Sequence, residues 1–331
     1  MNITVIGSGG WGTALAICAA ERGHRVTLWS RRSEQAHALA ATRTNDAYLP
    51  GITIPLQIEI TSDPTVLSDA ELYILAVPSQ SMREVATTLR PHLNANAIFV
   101  SASKGIERHT LRRMTEVLAD TLALNPSQLV CLSGPSHAEE VARKIPTVLV
   151  AASYSHDTAR LVQDALVLPY LRVYSSNDVV GVELAGALKN VIAICAGILD
   201  GEGYGDNTVA ALVTRGLAEM RRLGIALGAE EPTFSGIAGL GDLVVTCLSK
   251  HSRNRRVGIA LGRGKTLTEI LDSMTMVAEG VWTTESAQEL ASKHNIEMPI
   301  VEETYKILFE NKDHRQATEE LMRRQTKDER W

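Results

Sequence analysis

Cysteine is scarce in this 331-residue chain, and charge is nowhere gathered into long runs of one sign. Cys18, Cys131, Cys195 and Cys247 stand far apart among apolar neighbours and lack C-x-x-C spacing, which argues against a zinc cluster and against a disulfide framework. Buried thiols in a reducing cytosol are expected instead. Charged residues make up 21% and the net charge is −5, so neither a nucleic-acid footprint nor disorder is indicated. The chain starts with the strand-like NITVIG, without the basic region, hydrophobic stretch and cleavage site of a leader. No apolar run is read as approaching membrane-spanning length, so a cytoplasmic protein without membrane insertion is expected. Internal repeats and a Pro/Ser-rich linker are also missing.

What is present falls into two textures. Up to about residue 180, short β-branched runs (ITVI, RVTLW, LYILAV, AIFVSAS, LVCLSG, PTVLVAAS, LRVYSS) alternate with helical patterns. That alternation implies βαβ units and a parallel sheet with helices on both faces. From about Gly181 onward, helical patterns such as NTVAALVTRGLAEMRRLGIALG and TTESAQELASKHN follow one another. The expected fold class is α/β: a Rossmann-type parallel-sheet domain over 1–180, then an all-α domain over 181–331. The ending EELMRRQTKDERW reads as a charged helix or a frayed tail.

The run GSGGWG places Gly7, Gly9 and Gly12 in G-x-G-x-x-G spacing between a strand and a helix, the context a dinucleotide site needs. Gly7 permits the tight turn, Gly9 lets backbone approach a pyrophosphate, and Gly12 lets helix and strand pack closely; the helix N-terminus offers free N–H groups to the diphosphate. A glycine-rich turn with no ligand is the competing interpretation. After the second strand come Ser30, Arg31 and Arg32, where an NAD site usually has a carboxylate. The two cations suit a 2′-phosphate and favour NADP(H) over NAD(H), unless they only form a solvated basic loop.

VELAGALKNVIAICAG, residues 182–197, is apolar or small almost all round a helix, yet Lys189 stands in its middle. Burial lowers a lysine's pKa toward the range useful for proton transfer, which makes Lys189 the leading acid/base candidate. Its stripe of Val182, Ala185, Gly186, Ile192, Ala193 and Ala196 leaves room for a ligand or a neighbouring helix. Snorkelling to the surface or an interdomain ion pair are the alternatives. In AGLGDL, Asp242 at a helix start is placed to cap that helix or to orient a lysine or a substrate hydroxyl. In SKHSRNRRVG, Arg253 and Asn254 offer planar donors suited to a phosphate, although a solvated positive loop is the usual meaning of such a run. SASKGIE and LSGPSHAEEVA each follow a strand, setting Lys104, Gly134, Ser136 and Ala138 at the sheet's carboxyl edge, where ordinary strand-to-helix turns also occur. The histidines show no metal-ligand spacing, and no metal is required.

These segments, with TRGLAEM and VAEGVWT and in the same order along nearly the whole chain, resemble the bacterial NAD(P)-dependent glycerol-3-phosphate dehydrogenases. The resemblance implies reversible reduction of dihydroxyacetone phosphate to sn-glycerol 3-phosphate in a cleft between the two domains, feeding glycerophospholipid synthesis. It implies Lys189 as the catalytic lysine; Lys104, Gly134, Ser136, Asp242, Ser252, Arg253 and Asn254 as further substrate contacts; and Trp11, Arg31, Ala138, Arg253, Val277 and Glu279 as cofactor contacts. Lys104 and Arg32 are counted on the cofactor side as well. Gly10 departs from the family pattern: many members have serine there, so a hydroxyl contact to the cofactor is lost while the backbone contact remains. A homodimer is expected from general frequency. Two rivals stay open: a β-hydroxyacid or ketopantoate-type reductase, which would act on a carboxylate, and an NADP(H)-binding sensor or scaffold without turnover.

Overall fold

Ile3 and Val5 of the first strand enter one apolar core and Ile6 the opposite one, because successive side chains of a strand point to opposite faces. Leu72 and Ile74 against Tyr73 and Leu75 repeat the division, so the sheet is buried on both sides, as a helix-covered parallel sheet must be. The computed structural model describes residues 1–274, 276–326 and 328. Its strands are β1 (Asn2–Ile6), β2 (Arg25–Trp29), β3 (Thr44–Asn45), β4 (Leu49–Thr53), β5 (Ile58–Thr61), β6 (Leu72–Leu75), β7 (Ile98–Ser101), β8 (Leu129–Ser133), β9 (Thr147–Ala152) and β10 (Leu171–Ser176). One sheet has the order β10-β9-β8-β7-β6-β1-β2-β5, while β3 and β4 form a separate hairpin.

The expected parallel sheet needs one correction. β8 and β9 pair antiparallel, with Cys131 opposite Ala152, so β9 and its parallel neighbour β10 run against the rest. The segment between β8 and β9 carries only a five-residue helix, Ala138–Ala142, and turns the chain back instead of carrying it across the sheet. The hairpin and β5 were not foreseen in the sequence.

The chain runs outward from β1 to β2 and β5, then returns to β6 on the other side of β1. The crevice of an open α/β sheet lies at such a reversal, beyond the carboxyl ends of the strands. Gly7 stands there with φ +113, and a Cβ on it would lie 2.6 Å from the Ala76 carbonyl oxygen, so only glycine fits.

After Ser176 no strand occurs among the described residues. A 24-residue central helix, Val179–Glu202, starts where Asp178 accepts a hydrogen bond from the Gly181 N–H and ends at Gly203 in the left-handed region. By length and composition this helix is long and apolar enough to cross a membrane, which corrects the sequence expectation, but nearly all of it is buried within the protein. Helices Asp206–Ala226, Asp242–Leu248, Arg253–Gly262, Glu279–Lys293 and Pro299–Phe309 surround it. Two glycines set its closest crossing. A Cβ on Gly197 would meet the Arg255 carbonyl at 2.1 Å, and one on Gly258 the Ile194 carbonyl at 2.0 Å. Glu183 ties the central helix to the sheet domain, accepting from Arg113 at 2.6 Å and from the Thr115 N–H at 2.8 Å. Of the described part of the charged ending, only residues 319–322 are helical, closing the helix His314–Met322; Lys327 and residues 329–331 lie outside the described residues.

Candidate active site

The central helix carries Lys189 to the carboxyl edge of the sheet, where its side chain is almost entirely buried. Gly186, one turn earlier, makes this approach feasible: a Cβ there would lie 2.6 Å from Ser133 Oγ, at the end of β8. The lysine Nζ donates to Asp242 Oδ1 at 2.5 Å and to Thr246 Oγ1 at 2.6 Å. An ammonium has three donors, so one N–H is left for the cavity that Lys189 lines.

Asp242 opens its helix after the glycine-rich π-helical segment Ile237–Gly241 and makes no capping bond to it. Its other oxygen, Oδ2, accepts from Lys104 Nζ at 2.7 Å, and that ammonium also donates to the Gly134 carbonyl at 2.8 Å. One carboxylate, 1% exposed, thus joins a lysine from each domain. Burial pushes the Lys189 pKa down to about 8; the Asp242 carboxylate opposes the shift, and the Lys104 charge adds to it.

The cavity, about 350 Å³, runs between the domains. Gly9, Gly10, Trp11, Lys104, Ser136 and Ala138 line it from the sheet side. Lys189, Ser252, Arg253, Asn254, Val277 and Glu279 line it from the helical side. Asn254 donates to Asn190 Oδ1 at 2.9 Å and accepts from the Gly280 N–H at 2.9 Å, which locks the start of the Arg253–Gly262 helix beside Lys189. Arg253, an exposed residue, donates to the Val277 carbonyl at 2.8 Å. The Glu279 carboxylate is held by the Ser79 N–H at 2.8 Å and by the Ser79 hydroxyl. Ser252 caps the arginine helix by accepting from the Arg255 N–H.

Other sequence-predicted residues lie behind or outside the cavity wall. Gly7 and Gly12 shape the turn: a Cβ on Gly12 would be 1.9 Å from the Gly7 carbonyl oxygen. Gly134 and Asp242 act on the lysines from behind. Arg31 is exposed, 3.7 Å from Glu84. Arg32 donates to Gln35 and, at 3.0 Å, to the Tyr48 hydroxyl. Tyr48 itself lines the cavity, and its carbonyl would lie 2.5 Å from a Cβ on Gly10. Gly10 is therefore more than a missing hydroxyl, since any side chain would collide with this turn.

Thr246, His137, His251 and Tyr48 also border the cavity and were not singled out from sequence. Thr246 had a signal, standing four residues after Asp242 on the same helix face. The two histidines and Tyr48 had none. A second, mostly apolar cavity of about 420 Å³ opens among the outer helices, lined by Leu199, Leu212, Ile300 and Leu321; no sequence-predicted site residue borders it.

Two family models match in succession: the N-terminal part of NAD-dependent glycerol-3-phosphate dehydrogenase over residues 2–159 and its C-terminal part over 178–319. A protein of Salinibacter ruber named glycerol-3-phosphate dehydrogenase (NAD(P)+) 2 is 53% identical, over 100% of this chain and 96% of its own length. A crystal structure of glycerol-3-phosphate dehydrogenase from Coxiella burnetii superposes with TM-score 0.93 at 39% identity, covering 98% of this chain and 99% of that one. A ketopantoate reductase from Ralstonia eutropha covers 97% of this chain and 100% of its own at TM-score 0.60 and 17% identity, a likeness of fold alone. The chain belongs to the NAD-dependent glycerol-3-phosphate dehydrogenase family.

Proposed function

We propose that this protein reversibly reduces dihydroxyacetone phosphate to sn-glycerol 3-phosphate, with NADP(H) preferred and NAD(H) as the alternative. The observation that carries the proposal is the buried ammonium of Lys189, held by Asp242 and Thr246 in a cavity whose far wall is the glycine turn. The residues fit a dinucleotide. Nothing lies within 4 Å of a Cβ built on Gly9, so backbone is open to a ligand there, and no side chain caps the first turn of helix Gly10–Glu21. Gly9, Gly10, Trp11, Ala138, Val277 and Glu279 would hold the dinucleotide, and Arg31 and Arg32 would meet a 2′-phosphate at the mouth. When bound, the reduced nicotinamide supplies hydride to the C2 carbonyl of the substrate.

The chain's own residues do the rest. The free N–H of Lys189 donates to the carbonyl oxygen and transfers its proton as negative charge develops there. In a site shielded from water, such a preoriented cation is worth roughly two to four orders of magnitude in rate. Asp242 keeps the lysine charged and aimed. Lys104 balances the second carboxylate oxygen and lines the substrate on the opposite wall. Arg253, steadied by the Val277 carbonyl, and Asn254 take the phosphate, with Gly134, Ser136 and Ser252 completing the pocket. In the oxidative direction the neutral amine of Lys189 accepts the hydroxyl proton.

The division at 180, the homodimer, the cytoplasmic location and the supply of glycerophospholipid synthesis belong to the same proposal. The test is loss of NADPH absorbance on adding dihydroxyacetone phosphate to the purified protein, with ketopantoate as the carboxylate control. Turnover of the phosphate ester alone is expected. Binding without turnover, or turnover of ketopantoate, would contradict the assignment.

A further inference from the structure

Two histidines face each other across the cleft, and nothing above gives them a task. His137 follows β8 in the sheet domain; His251 lies between helices Asp242–Leu248 and Arg253–Gly262 in the helical domain. Their ring centroids are 5.6 Å apart, tilted by 49°, and both residues line the cavity of Lys189. Each also adjoins a substrate-contact residue in the chain: Ser136 precedes His137, and Ser252 follows His251.

His137 Nε2 is buried and lacks a hydrogen-bond partner within the protein. A buried polar atom left without a partner is costly, and His137 belongs to the wall of the cavity into which a ligand would bring one. The groups around His137 decide the form of its ring. Burial first, then the Lys189 and Lys104 charges and His251, push its pKa down to about 4, against the contrary pull of Glu139. The ring is therefore neutral near pH 7, able to donate one hydrogen bond without adding repulsion to a site that already holds two ammonium groups. It is too weakly basic to compete with Lys189 for the catalytic proton.

We propose that His137 and His251 are substrate-positioning residues, one from each domain, which hydrogen-bond the phosphate end of the substrate and hold the cleft closed over it. The proposal rests on the glycerol-3-phosphate reading and extends its contacts to two residues that meet only through the fold. Contact with the phosphate end follows from Ser136 on one side and the Ser252–Asn254 segment on the other.

The test compares wild-type protein with His137→Ala, His251→Ala, the double variant and His137→Gln. Losing a hydrogen bond to a charged ligand group should raise KM for dihydroxyacetone phosphate about tenfold or more while kcat and the NADPH Kd stay near wild type. The double variant should lose less than the product of the single effects, because both rings serve one ligand. Glutamine, which keeps a neutral donor, should restore most of the affinity. An unchanged KM in His137→Ala, or a fall in kcat at constant KM, would overturn the proposal. If the variants do not fold, imidazole nitrogen resonances of wild-type protein decide: glycerol 3-phosphate added without dinucleotide should shift two ring signals, and no shift would overturn it. That binding measurement stands even if the wild-type protein fails to turn over dihydroxyacetone phosphate, an outcome that would sink the reaction assignment instead.

Discussion

Lys189 Nζ lies 2.5 Å from Asp242 Oδ1, and neither side chain is more than 7% exposed. Taken alone, each charge would be expelled from such a place or neutralised; together, with Lys104 on the second carboxylate oxygen, they form a buried group of net positive sign. Burial lowers the affinity of the lysine for its proton, and the carboxylate limits the fall. The result is an amine that changes charge within the working range of an enzyme.

The pH dependence follows. With the Lys189 pKa at about 8, the ammonium predominates below that pH and the amine above it. Reduction needs the proton, so kcat/KM for dihydroxyacetone phosphate should be level below about pH 8 and fall about tenfold per unit above it. Oxidation of glycerol 3-phosphate should show the opposite limb, rising toward the same break. The Thr246 hydroxyl accepts a bond from the ammonium, so Thr246→Val should move both breaks to lower pH. Rate profiles in both directions check this.

Gly258→Ala tests how helix packing places the residues proposed to take the phosphate. The added Cβ would lie 2.0 Å from the Ile194 carbonyl, which the central helix cannot yield without separating from the Arg253–Gly262 helix. Destabilisation of about 1–3 kcal/mol is expected, the usual cost of an overpacked core. Because Asn254 sits at the start of the displaced helix, KM for dihydroxyacetone phosphate should also rise. Denaturant midpoints and steady-state kinetics read the two effects separately.

The proposed preference for NADP(H) assigns the 2′-phosphate to Arg31 and Arg32. Arg31 lies exposed near Glu84, and Arg32 is held by Gln35 and Tyr48. Arg31→Ala should lower kcat/KM for NADPH by about tenfold or more, the worth of a hydrogen bond between charged groups, and leave NADH nearly untouched. Glu84→Ala should change neither. The ratio of the two dinucleotides measures it.

The residues most legible in the sequence are those whose identity is forced locally. Gly7 and Gly12 must be glycine because neighbouring carbonyls occupy the space of a Cβ, and that demand appears as a spacing. Lys189 announces itself because one cation interrupts an apolar helix. Its partner at Thr246 and the Asn190–Asn254 bond were harder to read, since they depend on how helices cross, which the Gly197 and Gly258 contacts decide. The reversal at β9 depends on a short connection whose pattern looks like any other strand-to-helix turn. His137 and His251 meet only because two domains close on each other.

The most direct test of the whole account is single-turnover reduction by Lys189→Met, which keeps the volume of the side chain and removes its proton. The rate of hydride transfer to dihydroxyacetone phosphate should fall by roughly 10²–10⁴ while NADPH binding and the unfolding midpoint change little. Turnover near the wild-type rate would contradict it.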